Sequence, residues 1–473
     1  MHSTLARCHA WVSGSTMTID ATFTGICTDS RNAVAGSLFV ALRGERFDSH
    51  DFLSQVIERG VAAVVVEAAT DANKLSHFQV PVLKVPDTRI ALGQIARGWR
   101  QQFSLPVIGV AGSNGKTTVK EMIAAILVAG VGADHCMATR GNFNNDIGVP
   151  LTLMRIDAAT RAAVVELGMN HPGEIAYLSE LAGPTVGLVN NAQREHQEFM
   201  ATVEAVAQEN GAVICSLPDD GVAVFPGDDV YTPLWRSHAA MRGTRRVMTF
   251  GLNDQCDVHC TYVPNAFGSD MQVMAGESAF TVGLCAAGEH NVRNALAAIA
   301  CTLAIGMPPE AIVRGLEAFA PVAGRLQRKQ ATDGALVIDD TYNANPDSVR
   351  AAIDVLAQVT ASHRQRLLVL GDMGEVGNDG QAFHEEIGAY AHAQGIDFLF
   401  TLGTLAAHTT RAFNAEPKSG EMNGTHFNDI DALQQALSLR ARPDAAILVK
   451  GSRFMKMERV VHHLLGQQVQ EIH

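Results

Sequence analysis

The sequence predicts an α/β protein of three domains: a central doubly wound sheet carrying a phosphate loop, a C-terminal Rossmann-like sheet, and a smaller N-terminal α/β domain. Three observations predict it. A chain of 473 residues has room for about three domains of ordinary size. Short β-branched apolar runs alternate with amphipathic stretches, the pattern of a parallel sheet covered by helices on both faces. Between one such run and one such helix, "VIGVAGSNGKTTVKEM" (residues 107–122) places a glycine-rich turn and a lysine.

The first domain is expected over residues 1–86. "SLFVALRG" and "AAVVVE" read as strands, and "DFLSQVIERG" between them as a helix ended by Gly60. Residues 87–323 follow as the central domain. "PDTRIALGQIARGWRQQF" is a connecting helix whose start is signalled by Pro86 to Thr88. Val107 to Val110 form the strand before the glycine turn, and "AAVVEL" and "VGLVNN" continue the buried-strand theme with "GEIAYLSELA" helical between them. Residues 245–285 carry β and turn signals and read as a small antiparallel patch, and "GEHNVRNALAAIACTLAIG" as a helix. From "GRLQ" the alternation restarts over residues 324–473: "ALVIDD", "RLLVLGD", "DFLFTLG" and "AAILVKGS" are strands, each followed by a helix.

Composition excludes several classes. Net charge is −13, so no basic face for nucleic acid is expected. No apolar run approaches the roughly 20 residues that span a bilayer, and the N-terminus lacks the apolar core of a signal peptide. No membrane insertion is therefore expected. The eight cysteines are scattered and read as free thiols of a cytoplasmic protein. Cys256 and Cys260 flank His259, but one such pair without a second makes no zinc site.

The chemistry gathers at strand ends, where open α/β sheets bind ligands. Glu166 ends one strand, Asn190 and Asn191 another, Asp339 and Asp340 a third; Asp372 lies just past a fourth and Lys450 ends a fifth. Together they predict a cleft between the two larger units. In the glycine turn, Gly112, Ser113, Asn114 and Gly115 would aim their amides inward at a helix N-terminus that favours an anion. Lys116 would reach outer phosphates, and the Thr117 hydroxyl, followed by Thr118, would ligate Mg²⁺. The stretch departs from GxxxxGK[ST], because Val110 stands where the first glycine would be.

"GNFNNDIGVPLTL", "VELGMNHPGEI", "GEHNVRNALAA", "GRLQ", "DDTYNANPDS", "LGDMGEVG" and "LVKGSR" occur together and in order, and in this the chain resembles the Mur ligase family. These are ATP-dependent amide-forming enzymes of the peptidoglycan stem peptide. The phosphate loop is similar to the family's shorter GxxGKT form. "DDTYNANP" and "GDMGEVG" resemble the last-acting member, and the Asp-Asn-Pro-Arg expected of the preceding one is absent.

The resemblance implies ATP, Mg²⁺, UDP-N-acetylmuramoyl-tripeptide and D-Ala-D-Ala as ligands of a monomer. It implies catalytic roles for Lys116, His196, Arg325 and Lys450, and metal ligation by Thr117, Glu166 and His196. Adenine would meet His290 and Asn291, with Asn294 beside them. Arg325 would cross to the γ-phosphate, and Asp340 would bind ribose. Substrate contacts fall on Ser30, Arg31, Asp48 and His50 for the UDP part. Asn142, Asn144 and Asn145 would meet the muramoyl-peptide, and Tyr342, Asn343, Asn345 and Arg453 the cleft. Asn291, Asn343 and Asn345 read equally as helix caps. In one departure, Asn210 occupies the position of a lysine that family members carbamylate, so no carbamyl-lysine is expected. Either Glu209 or water would complete that site, or the second metal is held differently.

Two rivals differ in class. A sister ligase, such as a folylpolyglutamate synthase, would share most motifs. A regulatory P-loop switch would need a guanine-reading Asn-Lys-x-Asp segment, which the sequence lacks.

Overall fold

The structure, a computed structural model, describes residues 1–44, 47–70, 79–195, 198–200, 202–243, 245–265, 267–359, 365–415 and 422–467. Among these residues the strands form three α/β units and one two-stranded N-terminal ribbon.

In the N-terminal unit, strands Ile26–Cys27, Leu38–Val40, Ala63–Glu67 and Val82–Val85 pair in parallel, and Thr16–Met17 closes the edge antiparallel. Only part of "DFLSQVIERG" is α-helical, Leu53–Glu58, entered through a short 3-10 turn, Ser49–Phe52. Gly60 follows with φ +82°, a conformation that ends the helix at little cost only for glycine. The connecting helix Thr88–Arg100 starts where Asp87 accepts from the amides of Arg89 and Ile90. It packs into the same core as both neighbouring sheets.

The central sheet has nine strands, with the phosphate-loop strand Val107–Ala111 between Val186–Val189 and Ala162–Glu166. Its central strands are buried along their whole length, which is why they read as unbroken apolar runs. The antiparallel patch expected over residues 245–285 is present in Val258–Asn265, Gly268–Ala275 and Ser278–Leu284, and it extends the central sheet. Arg246–Gly251 joins Val222–Pro226 in parallel. Helix Lys116–Val131 lies on one face, against Glu289–Ala304 and Pro309–Glu317.

The C-terminal sheet has six strands in the order Gln327–Gln330, Leu336–Asp340, Ala445–Lys450, Gln365–Gly371, Phe398–Leu402 and Gly424–Phe427. The four apolar strands are those expected. The two edge strands are short and polar, and the first runs antiparallel. An edge strand is solvated on its outer side, so it lacks the apolar run that marks the others. Among the described residues no helix is long and apolar enough to cross a membrane.

Candidate functional site

The phosphate loop is held from three directions, and its glycines are the reason it can be. Gly112 and Gly115 take φ of +138° and +80°. A β-carbon at Gly115 would lie 2.5 Å from Asn294 Oδ1, and one at Gly112 2.9 Å from the Asn190 β-carbon. Close approach of the supporting side chains thus requires glycine at both places. Asn190 Nδ2 donates to the Asn114 carbonyl (2.8 Å) and to Asn294 Oδ1 (2.9 Å). Asn191 accepts from the Asn114 amide (2.9 Å) and donates to its carbonyl (3.0 Å). Asn294 in turn donates to Asn291 Oδ1, and Asn291 to the Ala287 carbonyl.

Lys116 sits at the N-terminus of its helix. Its ammonium donates to the carbonyls of Gly112 (2.5 Å) and Ser113 (3.0 Å) and pairs with Glu195 at 3.3 Å. Thr117 donates to Glu166 Oε1 (3.2 Å) and accepts from Arg325 Nη2 (3.0 Å). Asn144 Nδ2 donates to the same Glu166 oxygen at 2.9 Å. Glu166 Oε2 is buried and has no partner among the described residues. A hydroxyl, a carboxylate and an orphaned carboxylate oxygen are hard oxygen donors of the kind Mg²⁺ takes. Among the described residues no three His, Cys, Asp or Glu converge, so phosphate and water would supply the remaining ligands. His196 lies outside the described residues.

The cleft these groups line measures about 1280 Å³ and runs between the central and C-terminal units, its lining including Arg89 and Ile90 of the connecting helix. From the C-terminal unit it takes Arg325, Asp340, Tyr342, Asn343, Asn345 and Lys450. Arg325 stacks over Tyr342, 4.1 Å from the ring centroid. Asp340, at the end of its strand, pairs with buried Lys450 at 2.6 Å, and the same ammonium donates to the Asn343 carbonyl at 2.8 Å. Asn345 caps Pro346–Gln358 in a capping box with Ser348, and it also donates to Asn114 Oδ1 at 2.9 Å, so it does both things the sequence left open. Asp339 accepts from Thr341 and Lys329 and lies outside the cleft. Asp372 likewise caps Ala406–Phe413 by accepting from the Ala406 amide (2.7 Å).

Gly112 to Thr118, His290, Asn291 and Asn294 come together around the loop as expected, with Gly112 in the wall behind it. Burial pushes the His290 imidazole below its ordinary pKa against the opposing pull of Asp340, so the ring is neutral near pH 7. Arg293 between them turns away to Asp228 (2.9 Å). Asn144 and Asn145 line the cleft, Asn145 while also accepting from the Gly148 amide (2.8 Å). Asn142 is exposed beside them and outside the lining.

Four expected substrate residues, Ser30, Arg31, Asp48 and His50, stand apart in the N-terminal unit. Arg31 is exposed and paired with Asp29 at 2.7 Å, and Ser30 lends its carbonyl to Arg59 (2.8 Å). His50 turns inward. It is buried, its Nδ1 bound to Asp48 Oδ1 (2.6 Å) and its Nε2 accepting from the Glu67 amide (3.1 Å). With both ring nitrogens occupied it pins its loop to a strand and presents no free atom to a ligand. Asp48 also caps Ser49–Phe52 and pairs with Arg43. Arg453 is exposed, tied to Glu458 at 3.1 Å, and outside the cleft lining.

Glu209, an alternative for completing the second metal site, is engaged by backbone amides. Its carboxylate accepts from the amides of Gly173 and Ile175, both at 2.9 Å, at the start of helix Glu174–Ala182. Asn210 is wholly buried and accepts from the Gly112 amide at 3.0 Å. It serves the loop backbone directly.

The sequence reading passed over Arg89, Asp146, His171, Tyr177, Gln193, Arg194 and Glu195, all of which line the cleft. Gln193, Arg194 and Glu195 form a polar run one residue, Ala192, after "VGLVNN", so the polar strand end is longer than its two asparagines.

The chain matches the Mur ligase family catalytic domain over residues 22–100, the Mur ligase middle domain over 110–302, and the Mur ligase glutamate ligase domain over 324–453. It is 38% identical to the UDP-N-acetylmuramoyl-tripeptide–D-alanyl-D-alanine ligase of Haemophilus influenzae, over 93% of each chain. Against the enzyme of the same name from Bacillus subtilis it is 35% identical, again over 93% of each. Among solved structures it superposes on MurF from Acinetobacter baumannii with a TM-score of 0.88, 33% identity and 99% of both chains covered. With MurF ligase from Thermotoga maritima in complex with ADP the TM-score is 0.80 at 26% identity, covering 94% of this chain and 97% of the other. The chain belongs to the Mur ligase family.

Proposed function

We propose that this chain is an ATP-dependent, ADP-forming ligase that joins D-Ala-D-Ala to UDP-N-acetylmuramoyl-tripeptide, completing the UDP-muramoyl-pentapeptide of peptidoglycan synthesis. The observation that carries this reading is Arg325. It projects from the C-terminal unit onto Thr117 of the phosphate loop, so nucleotide and acceptor share one cleft closed by a second body. A phosphoryl-transfer step needs such an arrangement, because water in the cleft would hydrolyse the activated acid.

The reaction sets a triphosphate against a carboxylate, which repel. Lys116 neutralises the outer phosphates, and Arg325 adds a second cation from across the cleft. The substrate carboxylate oxygen attacks the γ-phosphorus and ADP leaves. The amine of D-Ala-D-Ala then attacks the acyl carbon, gives up a proton, and inorganic phosphate departs with its bonding electron pair. Thr117 and Glu166 would hold Mg²⁺, which supplies charge neutralisation at the phosphates when bound. His290, Asn291 and Asn294 flank the base, and Asp340 the ribose. Ser30 and Arg31 offer the N-terminal unit's hydrogen bonds and charge to the UDP diphosphate. We read the protein as a cytoplasmic monomer, consistent with eight free cysteines.

The test is phosphate release by the purified chain with ATP, Mg²⁺ and UDP-N-acetylmuramoyl-tripeptide, with and without D-Ala-D-Ala. Release that needs both, with a pentapeptide product seen by mass, is expected. Release indifferent to D-Ala-D-Ala would return the chain to the sister ligases.

A further inference from the structure

Residues 191–195 follow the strand Val186–Val189 and turn at Arg194, where the Glu195 amide donates to the Gln193 carbonyl (2.9 Å). Asn191, Gln193 and Glu195 all face the phosphate loop. Asn191 bonds to the Asn114 backbone, and the Gln193 amide donates to Ser113 Oγ (2.9 Å). Asn114 Nδ2 donates to Gln193 Oε1 (2.7 Å), and Glu195 pairs with Lys116 (3.3 Å). Arg194, between them, faces the other way.

There it meets the C-terminal unit. Its Nη2 donates to Asp347 Oδ1 at 2.6 Å, its Nε to the same oxygen at 3.1 Å, and its backbone amide to Oδ2 at 2.8 Å. Nη1 donates to Glu386 Oε2 at 2.7 Å and Nη2 to Oε1 at 3.2 Å. The guanidinium covers the Phe383 ring, 5.3 Å from its centroid, and Arg350 braces Glu386 from behind at 3.0 Å. One arginine thus engages two helices, Pro346–Gln358 and Gly380–Ala393, through two forked carboxylate pairs. Its bonds to Arg194 hold the Glu386 carboxyl below the usual carboxylate range.

A segment bound on alternate residues to two bodies transmits the position of one to the other. We propose that Arg194 is a positioning residue for ligation: its clamp on Asp347 and Glu386 couples docking of the C-terminal unit to the placement of Glu195, Gln193 and Asn191 on the phosphate loop. Lys116 reaches its working register only when that unit is docked. This rests on the ligase reading above for its kinetic readout, but not for its scattering readout. Exposed at about a quarter of its surface, Arg194 is accessible enough for an alternative, direct contact with an anionic substrate, and the test separates the two.

The experiment uses the full chain and Arg194→Ala, Arg194→Lys, Asp347→Asn and Arg194→Ala/Asp347→Asn. Small-angle scattering is recorded with Mg²⁺ and a non-hydrolysable ATP analogue, and kcat and each KM are measured alongside. The expected result for Arg194→Ala is a larger radius of gyration than wild type and a kcat lower by at least about tenfold. Arg194→Lys, which keeps the charge and loses the fork, should fall between. The double variant should be no worse than Arg194→Ala alone, because both remove one coupling. Should Arg194→Ala fail to fold, Asp347→Asn carries the same prediction. Wild-type compaction in Arg194→Ala, or kcat within about twofold of wild type, overturns the proposal. So does a rise in one substrate's KM with compaction intact, which marks a direct contact, or single effects that multiply in the double variant. A wild-type chain that compacts on nucleotide but makes no pentapeptide refutes the ligase reading and leaves the clamp standing.

Discussion

Asn210 is the position where this chain parts from the lysine its resemblance implies, and the structure gives the asparagine a definite task. Its Oδ1 is the acceptor for the Gly112 amide, wholly buried, at the first glycine of the phosphate loop. Asn210→Ala removes that acceptor and leaves a buried N–H unpaired, at a cost of about 1–3 kcal/mol. In a unit of this size each kcal/mol lowers the melting temperature by about 2–4 °C, so the central transition should fall by about 2–12 °C. Whatever part of the loss loosens the loop should also weaken nucleotide binding, up to about tenfold for 1.4 kcal/mol. Asn210→Asp keeps the acceptor but buries a carboxylate at a wholly buried position. Desolvation raises its folded pKa above the unfolded value of about 3.9, so its penalty grows as pH rises and shrinks toward pH 5. Calorimetric melting at pH 5 and 8, with titration of ADP into each variant, measures both effects. An Asn210→Ala protein that melts within a degree of wild type and binds ADP equally well would refute the reasoning.

Other expectations are shorter to state. Lys116→Ala should abolish ligation while circular dichroism stays that of the wild type, since the proposed role of the side chain is to hold phosphate and it bonds only loop groups; near-normal turnover would refute the phosphate assignment. Chelation of divalent metal should stop ADP formation and added Mg²⁺ restore it, whereas metal-independent turnover would sink the roles given to Thr117 and Glu166. His384 is buried, donating from Nδ1 to the Gly380 carbonyl (2.6 Å) and accepting at Nε2 from the Met373 amide (3.1 Å). Burial lowers its pKa, outweighing the opposite pull of Asp372, while His408 adds to the lowering. The unfolded chain therefore takes up the proton first, and stability should be lost as pH falls through about 6.5. His384→Gln should flatten that slope in urea titrations between pH 5 and 8; an unchanged slope would show that the ring does not carry it.

How much of this was legible in sequence depended on whether a feature is local. The phosphate loop is set by consecutive residues: a buried strand, glycines able to take positive φ, and a lysine opening a helix. The same holds for the apolar strands of the larger sheets and for the helices Thr88–Arg100 and Glu289–Ala304, whose periodicity announces them. Edge strands such as Gln327–Gln330 were missed because solvation of one side removes the apolar signal. The cleft at the strand ends was predictable from Glu166, Asn190, Asp340 and Lys450, but membership was not, for Asp339 and Asp372 have the same local signature and bond elsewhere.

The sequence by itself therefore determined the class of fold, the anion-binding loop and the family. Each follows from short-range pattern: backbone freedom, side-chain period and the order of motifs. Tertiary structure alone decided which polar side chain faces which partner. His50 turned inward to a strand, Glu209 to a helix start, Asn210 to the loop amide, and Arg194 outward to two helices more than 150 residues further along the chain. Those choices depend on which buried donor or acceptor would otherwise go unpaired, and that becomes known only once distant segments are packed together.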